Sequence, residues 1–290
     1  MIITGLLLTV LSCIPREEPP EKSLSLVSEN SLPDVLRENS GMTMHDGLIW
    51  FINDSGNDSA LYGYSRQQND IIRTVRVKNS VNTDWEDITQ NEQHIFIGDF
   101  GNNASGNRTD LRIYMIDKAD LETSDTVIPS GVIRFSYEDQ SDFTPQDPNA
   151  TPFDCEAFIA TENKIILFTK DWETYQTRVY QLTTTPGTQV AEFHHEWKVD
   201  GLITGAATYS DKLYLIGYGF SAMPFLWEFT GFEASTLHYD DRMRTDFEMN
   251  GITQTEGITV LQDGTVLVSS EEFNLIPPGS PATLFVLTGE

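Results

Sequence analysis

Residues 86–100 read EDITQNEQHIFIGDF, and this succession of strand, polar turn and second apolar strand recurs along the chain. The other copies are SGMTMHDGLIWFIND at 40–54, EAFIATENKIILFTK at 156–170, GAATYSDKLYLIGYG at 205–219 and EGITVLQDGTVLVSS at 256–270. Self-similarity at intervals of roughly 40 to 70 residues is typical of β-propellers and solenoids. Further β-rich runs follow each copy and predict four strands per repeat, which is the composition of a propeller blade. The pattern therefore predicts an all-β fold, a five-bladed β-propeller with four-stranded antiparallel blades.

The alternative count is six blades, with a degenerate blade near residues 120–150. Residues 139–152 are rich in Asp, Gln and Pro and predict a surface loop. Leu24 to Ser28 is a candidate strand that would close the ring by pairing with the last blade, since closure removes exposed sheet edges. We therefore expect residues 24–290 to form a single propeller domain.

Charge excludes one class of partner. The chain has 18 Lys and Arg against 44 Asp and Glu, a formal charge of −26. Such a surface repels phosphate backbones, so we expect no nucleic-acid partner. The acidic residues suit cation binding or simple solubility. We expect a monomer that binds a small-molecule or protein ligand at one mouth of the propeller.

The N-terminus predicts export and lipid anchoring. Residues 2–11 are almost wholly apolar but too short to span a bilayer. They end in Val10-Leu11-Ser12-Cys13, which resembles a bacterial lipobox, although no Lys or Arg precedes the cysteine. This predicts a signal peptide at 1–12 and a polar tether at 13–23 that begins with lipidated Cys13. The chain would then lie in the bacterial cell envelope, periplasmic or at the cell surface, held to the membrane only by its lipid.

Cysteine usage fits this reading, because only Cys13 and Cys155 are present. If Cys13 carries lipid, Cys155 has no partner within the chain, so no disulfide staples the fold. Cys155 lies in an apolar run, and we expect a small buried hydrophobe rather than a catalytic thiol.

The first residue of every copy predicts a metal site. In a propeller these positions would face one axis, and they are occupied by Ser40, Glu86, Glu156, Gly205 and Glu256. Carboxylates brought to one point repel one another unless a cation lies between them. Calcium prefers several hard oxygen ligands in a tolerant geometry, whereas zinc prefers His or Cys. These five positions, which we call the axial column, therefore predict an axial Ca²⁺. The alternative is that these glutamates cap strand ends or pair with arginine.

Loops that follow the second strand of each copy should surround one mouth of the channel. They bring Asp54, Asp99, Lys170 and Glu271 to similar offsets from the column. Polar residues are also ordinary in turns. We nevertheless expect these four side chains to face a ligand, because loops on a rigid scaffold carry function.

The column resembles that of the soluble calcium-activated nucleotidases, the apyrase family, which are five-bladed propellers with Ca²⁺ on the axis. In that family the axial ligands run Ser, Glu, Glu, Ser, Glu. Four of the five positions agree in type here, and Gly205 departs, so that a carbonyl or water would replace its side chain. A looser similarity links the chain to phytase-like and esterase-like bacterial propellers.

The resemblance implies hydrolysis of phosphates, but the basic residues of the family are largely missing. The first-blade turn keeps Asp54 without the family's Arg, and the third blade keeps only Lys170. Phosphoryl transfer depends on positive groups that stabilise developing charge. The leading hypothesis is therefore a calcium-containing ligand- or partner-binding module.

Two further functions are left open. One is a calcium-dependent phosphohydrolase in which Asp54 or Asp99 acts as general base and Lys170 as the cationic group. The other is a scaffold in an envelope complex, in which Ca²⁺ only holds the blades together.

Overall fold

The computed structural model describes residues 24–220, 222–248, 253–274 and 279–289. The predicted signal peptide, Cys13 and the tether lie outside these residues. Nearly all regular structure in these described residues is β-sheet, with one 3-10 turn at Asp34–Leu36 and one short helix, α1, at Lys118–Thr123. Within the described part of the chain, no helix has the length and apolar character needed to cross a bilayer.

The strands form four hydrogen-bonded sheets. The first sheet contains β2 (Asn39–His45), β3 (Leu48–Asn53), β4 (Ala60–Ser65) and β5 (Asp70–Val77) in antiparallel order, with the short β9 (Thr126–Val127) added in parallel to β5. Another contains β15 (Leu202–Tyr209), β16 (Lys212–Tyr218), β17 (Pro224–Thr230) and β18 (Asp241–Asp246).

The largest sheet has eight strands and consists of two antiparallel halves. One half is β6 (Trp85–Gln90), β7 (His94–Asp99), β8 (Arg112–Asp117) and β10 (Gly131–Tyr137). The other is β11 (Cys155–Ala160), β12 (Lys164–Thr169), β13 (Thr177–Thr183) and β14 (Gly187–Trp197). The outermost strands of the halves, β10 and β14, pair in parallel and join them into one sheet.

The chain ends meet in the fourth sheet, as the sequence predicted. It contains β19 (Thr255–Val260), β20 (Val266–Ser270), β21 (Thr283–Gly289) and, from the other end of the chain, β1 (Leu24–Ser31). β1 pairs antiparallel with β21, which ties the first described residues to the last. Residues 120–150 form no sheet of their own; they contribute β9 and β10 to sheets described above.

Burial follows position in the sheet. The second strands, such as β3 and β12, are buried along almost their whole length, which explains why they read as continuous apolar runs. An outer strand such as β5 alternates exposed and covered residues, as expected where one face meets solvent. Hydrophobic clusters fill the space between neighbouring sheets; in one of them, Trp50 and Ile52 pack with Trp85 and Ile95.

The first strands of the antiparallel units line the centre. Contacts run from β2 to β6, β11, β15 and β19 and back to β2, so these inner strands form a closed ring. The chain is therefore a propeller-like all-β protein, in agreement with the fold class predicted from the repeats. The ring is the scaffold on which the candidate site is built.

Candidate metal centre at the end of the inner ring

Every inner strand contains one irregularity at the same place. The pairing of inner strand with second strand skips one residue each time, between Asn39 and Gly41 in the first case and at equivalent points in the others. The skipped residues are Ser40, Glu86, Glu156, Thr204 and Glu256. A β-bulge leaves its extra residue unpaired and re-aims the side chain. The inner ring thus presents one bulged residue per strand at one end.

This register corrects one member of the predicted column, because Thr204 and not Gly205 occupies the bulge. The Thr204 hydroxyl donates to the carbonyl of Thr255 at 2.6 Å, and the Ser40 hydroxyl donates in the same way to the carbonyl of Trp85 at 2.7 Å. Each hydroxyl therefore binds the residue just before a column glutamate on the neighbouring inner strand. The two hydroxyl members of the column connect adjacent inner strands.

Gly205 serves packing instead. A Cβ atom at this position would lie 2.6 Å from the carbonyl oxygen of Glu256. Only a residue without a side chain lets β15 approach β19 this closely. The hairpins β2–β3 and β15–β16 have equal lengths, with Gly41 to His45 matching Gly205 to Tyr209. An alignment of the two turn sequences would have shown that Thr204, and not Gly205, is equivalent to Ser40.

A cavity of about 220 Å³ opens at this end of the ring. Its walls are polar and come from loops of several units as well as from the bulged strands. The lining residues are Asn39, Ser40, Asp54, Glu86, Asn103, Asn149, Glu156, Lys170, Trp172, Tyr218, Gln254, Glu256 and Glu271. Three of the four loop residues expected at the mouth, Asp54, Lys170 and Glu271, line this cavity, and so do four of the five predicted column residues.

Asp99 is the exception, and its predicted place at the mouth is corrected. Its side chain is fully buried and does not line the cavity. It accepts hydrogen bonds from Arg108 Nη2 at 2.9 Å and from the Asp84 amide at 3.1 Å, and Arg112 Nε lies 3.4 Å away. Its negative charge is therefore engaged by two guanidinium groups behind the cavity wall. This placement gives Asp99 no route to a ligand in the cavity.

Carboxylate oxygens gather into two groups of three. Asp54, Asp84 and Glu86 form one group, and Glu86, Asp154 and Glu156 form the other; within each, one oxygen per residue lies within 4.8 Å of the others. Oxygens this close together can all lie within bonding distance, near 2.4 Å, of one Ca²⁺ ion.

Sequence analysis missed Asp84 and Asp154. Their position in the repeat could have indicated them, because both residues precede a column glutamate by two positions. The cavity residue Gln254 has the same position in its repeat.

The Asp154 carboxylate is held in place by two donors. Its Oδ1 accepts the Asn102 amide at 2.7 Å, and its Oδ2 accepts the Trp172 indole N–H at 2.9 Å. Each oxygen keeps a further lone pair for a cation. A carboxylate fixed by such partners is oriented before any ion arrives.

Proximity and burial perturb the acids of the site. Burial, followed by the repulsion of Glu156, Asp54 and Asp84, raises the pKa of Glu86 well above its usual value. Burial and then the Asp54 carboxylate raise the pKa of Asp84 to about 7, and the same two causes raise that of Glu271 to about 7. These acids therefore hold protons near neutral pH unless a cation replaces them.

Lys170 is the cationic residue among those lining the cavity. It donates to Glu156 Oε2, and its Nζ lies 4.9 Å from the centre of the Trp172 ring and 5.1 Å from that of Tyr218. Burial opposes its charge, but Glu156, Tyr218 and Glu256 together raise the pKa of Lys170 well above its ordinary value. One lysine leaves most of the acidic charge without a counter-ion.

The donor set fits a hard divalent cation. All candidate ligands are oxygens, and neither His nor Cys lines the cavity, which disfavours zinc. The Oδ1 atom of Asn39, a cavity residue, is buried without a hydrogen-bond donor, although its Nδ2 donates to Leu36 and Ser270 carbonyls. Buried acceptors without donors are costly and require a partner. A calcium ion in this cavity would neutralise the carboxylates and could also accept Asn39 Oδ1 as a ligand.

Comparison with models of known protein families gives no match, and comparison with curated proteins gives none. Solved structures do match. A glucose dehydrogenase aligns over 92% of this chain and 99% of its own, with 9% identity and a TM-score of 0.51. Regucalcin from Agrobacterium tumefaciens, a calcium-binding protein, aligns over 91% and 93% with 11% identity and a TM-score of 0.44. A streptogramin B lyase aligns over 93% and 98%, with 11% identity and a TM-score of 0.41.

Such low identity indicates the fold alone. The glucose dehydrogenase alignment supports the propeller-like architecture derived from the sheets. The resemblance to calcium-activated nucleotidases stays a prediction, and any activity must be argued from the site of this chain.

Proposed function

We propose that the chain is a five-bladed propeller that binds Ca²⁺ at the end of its inner ring and uses the adjoining cavity to bind a ligand. One observation carries the proposal: the bulges of separate inner strands deliver Glu86, Glu156 and Glu256 to a single cavity. Because residues from distant repeats converge there, the acidic cluster is a product of the fold. Acidic residues scattered over the surface would not require bulges at equivalent positions of separate strands.

The closed inner ring supports the proposed count of five blades. Each of β2, β6, β11, β15 and β19 begins one antiparallel four-stranded unit, and these strands contact one another in a closed cycle. The eight-stranded sheet counts as two blades, since only the parallel pairing of β10 with β14 joins its halves. Residues 120–150 supply no separate sheet for a sixth blade.

The inner carboxylate group of Glu86, Asp154 and Glu156 is the proposed calcium position. All three side chains are at least nine-tenths buried, and Asp154 is fixed by its two N–H donors. Glu256 and Ser40 border the same cavity and supply further oxygens, with water completing the shell. Calcium bound there would offset repulsion among the carboxylates and offer an open coordination position to a ligand.

The cavity suits a small oxygen-bearing ligand or an acidic side chain of a protein partner. Asp54, Glu271, Lys170 and Trp172 line it and supply hydrogen-bonding groups together with an aromatic ring. We retain the sequence-based expectation of an envelope location through lipidated Cys13. In that setting the site would face the extracytoplasmic solution, where millimolar Ca²⁺ fills sites of modest affinity.

Calorimetric Ca²⁺ titration of the protein tests the proposal, with thermal unfolding in EDTA and in Ca²⁺ as a second readout. We expect binding and a higher unfolding temperature in Ca²⁺, and Glu156→Gln should lose binding at the inner calcium position and most of the rise in unfolding temperature. The exposed Glu196→Gln on β14 is the matched control and should behave as the unmodified chain. Absence of Ca²⁺ binding by the unmodified chain would refute the proposal.

A second candidate function is calcium-dependent hydrolysis of a phosphate ester or anhydride. It is favoured by Glu271, which lines the cavity outside both carboxylate groups and whose pKa near 7 suits a general base. Calcium would supply Lewis acidity when bound. Lys170 would orient an anionic substrate, and Asp54 would contact the attacking water.

The test is turnover of pyrophosphate and nucleoside diphosphates with Ca²⁺. We expect Glu271→Gln to lower kcat and remove the acidic limb of the pH profile, while Ca²⁺ binding persists. Equal activity of Glu271→Gln and the unmodified protein would refute this role.

A further inference from the structure

The five carboxylates of the two groups do not surround one point. Their oxygens separate into the group of Asp54, Asp84 and Glu86 and the group of Glu86, Asp154 and Glu156. Only Glu86 belongs to both. A single ion bound by one group therefore leaves two acids of the other group without a metal ion in direct contact.

Glu86 is the unusual member of this arrangement. Its side chain is only 7% exposed, yet among the described residues no hydrogen-bond donor or ion-pair partner contacts its carboxylate. Buried carboxylates without partners are rare, because desolvation of the charge is not offset. The orphaned group stands at the junction of the two clusters, where a cation on either side could contact one of its oxygens.

Close packing constrains the group of Asp54, Asp84 and Glu86, the outer cluster. A Cβ atom on Gly101 would lie 1.9 Å from Glu86 Oε1 and 2.5 Å from Asp84 Oδ2. The backbone of the β7–β8 loop thus comes as near to both carboxylates as a glycine permits. The Gly101 backbone therefore limits the movement by which these two acids could relieve their repulsion.

Within the described part of the chain, no cationic side chain is bonded to Asp54, Asp84 or Glu86. Lys170 is bonded to Glu156 in the inner cluster. The nearest guanidinium, that of Arg108, is bound to Asp99, Asp110 and the Gly101 carbonyl. Hence, among the described residues, no basic side chain is bonded to the carboxylate of Asp54, which lines the cavity, or to that of Asp84 beside it.

We propose that Asp54, Asp84 and Glu86 form a second divalent-cation site, with Glu86 bridging it to the inner calcium position. The proposal rests on the proposed function, because the inner ion supplies the second arm of the bridge. Asp54 and Asp84 are partly exposed, whereas Glu86, Asp154 and Glu156 are buried. The outer ion therefore lies on the solvent side and takes its remaining ligands from water or from an oxygen-bearing ligand in the cavity.

Native mass spectrometry and calorimetric titration with Ca²⁺ count the ions on the full chain. We expect two ions per chain for the unmodified protein, one for Asp84→Asn and one for Asp154→Asn. Glu86→Gln should weaken both. The exposed Asp58→Asn is the control for removal of an acidic charge beside the site and should keep two ions. Circular dichroism checks that each variant is folded.

The unmodified protein decides the question even where a variant does not fold. Two ions support both proposals. One ion overturns the second site while the proposed calcium function stands, and no ion overturns both. Two ions that persist in folded Asp84→Asn place the outer ion elsewhere and overturn the assignment to these residues.

Discussion

Asp87 connects three inner strands, and its removal should destabilise the ring. The side chain is 1% exposed, and its oxygens accept the Ile88 amide at 2.8 Å and the Phe158 amide at 3.1 Å. The Ala206 amide is a further donor. Because Phe158 lies on β11 and Ala206 on β15, one carboxylate on β6 satisfies backbone groups of two neighbouring units.

Asp87→Ala leaves these two inter-strand N–H groups buried without an acceptor. Each such group costs about 1–3 kcal/mol, which gives a sum of about 2–6 kcal/mol. Burial raises the pKa of Asp87 well above its normal value, so relief of that desolvation cost offsets part of the loss. We therefore expect the free energy of unfolding to fall by about 2–4 kcal/mol.

Urea unfolding in EDTA measures this loss without a contribution from bound metal. Asp70→Ala is the matched control, because Asp70 likewise accepts the amide of the next residue, at 2.8 Å, but lies exposed on β5. The control should change the free energy of unfolding by no more than about 0.5 kcal/mol. If Asp87→Ala were as stable as Asp70→Ala, the carboxylate would not be a structural link between the strands.

Three further predictions concern the ring and its acids. Gly205→Ala should lower the free energy of unfolding by about 1–3 kcal/mol in chemical denaturation, because its Cβ meets backbone, whereas Gly219→Ala, with its nearest neighbour 3.9 Å away, should be nearly neutral. Thr204→Val should cost about 0.5–1.5 kcal/mol in the same assay through its lost hydrogen bond, and an unchanged midpoint would contradict that role. In EDTA the unfolding temperature should fall as pH rises through about 7, since the raised pKa values of Asp84 and Glu271 stabilise the fold only while these acids are protonated. Saturating Ca²⁺ should weaken this dependence, and a rise of unfolding temperature over that range in EDTA would contradict the assignment.

Sequence reasoning succeeded where the signal was local and repeated. The apolar runs became the second strands, and Leu24 to Ser28 joined the last sheet. Glu86, Glu156 and Glu256 do lie at equivalent bulges, because a position repeated in every copy occupies the same place in every unit. Cys155 is buried, as expected for a small hydrophobe in an apolar strand.

Errors arose where a position depends on strand register or on the path of a loop. Gly205 was assigned to the column, but the register of β15 with β16 puts Thr204 in the bulge. Asp99 lies at the expected offset at the end of β7, yet Arg108 from the following loop and Arg112 at the start of β8 pair with it away from the cavity. The spacing of residues within a repeat predicts neither the register of β15 with β16 nor the path of the loop after β7.

The sequence by itself determined the all-β class, the repeat and the strand position from which the central acids project. These properties depend on hydrophobic alternation and turn residues within one repeat, which neighbours along the chain specify. Tertiary structure alone decided that Asp54, Asp84 and Asp154 join the column glutamates in two groups that share Glu86. The physical reason is that each group combines oxygens from different units, so its geometry exists only after the ring has closed.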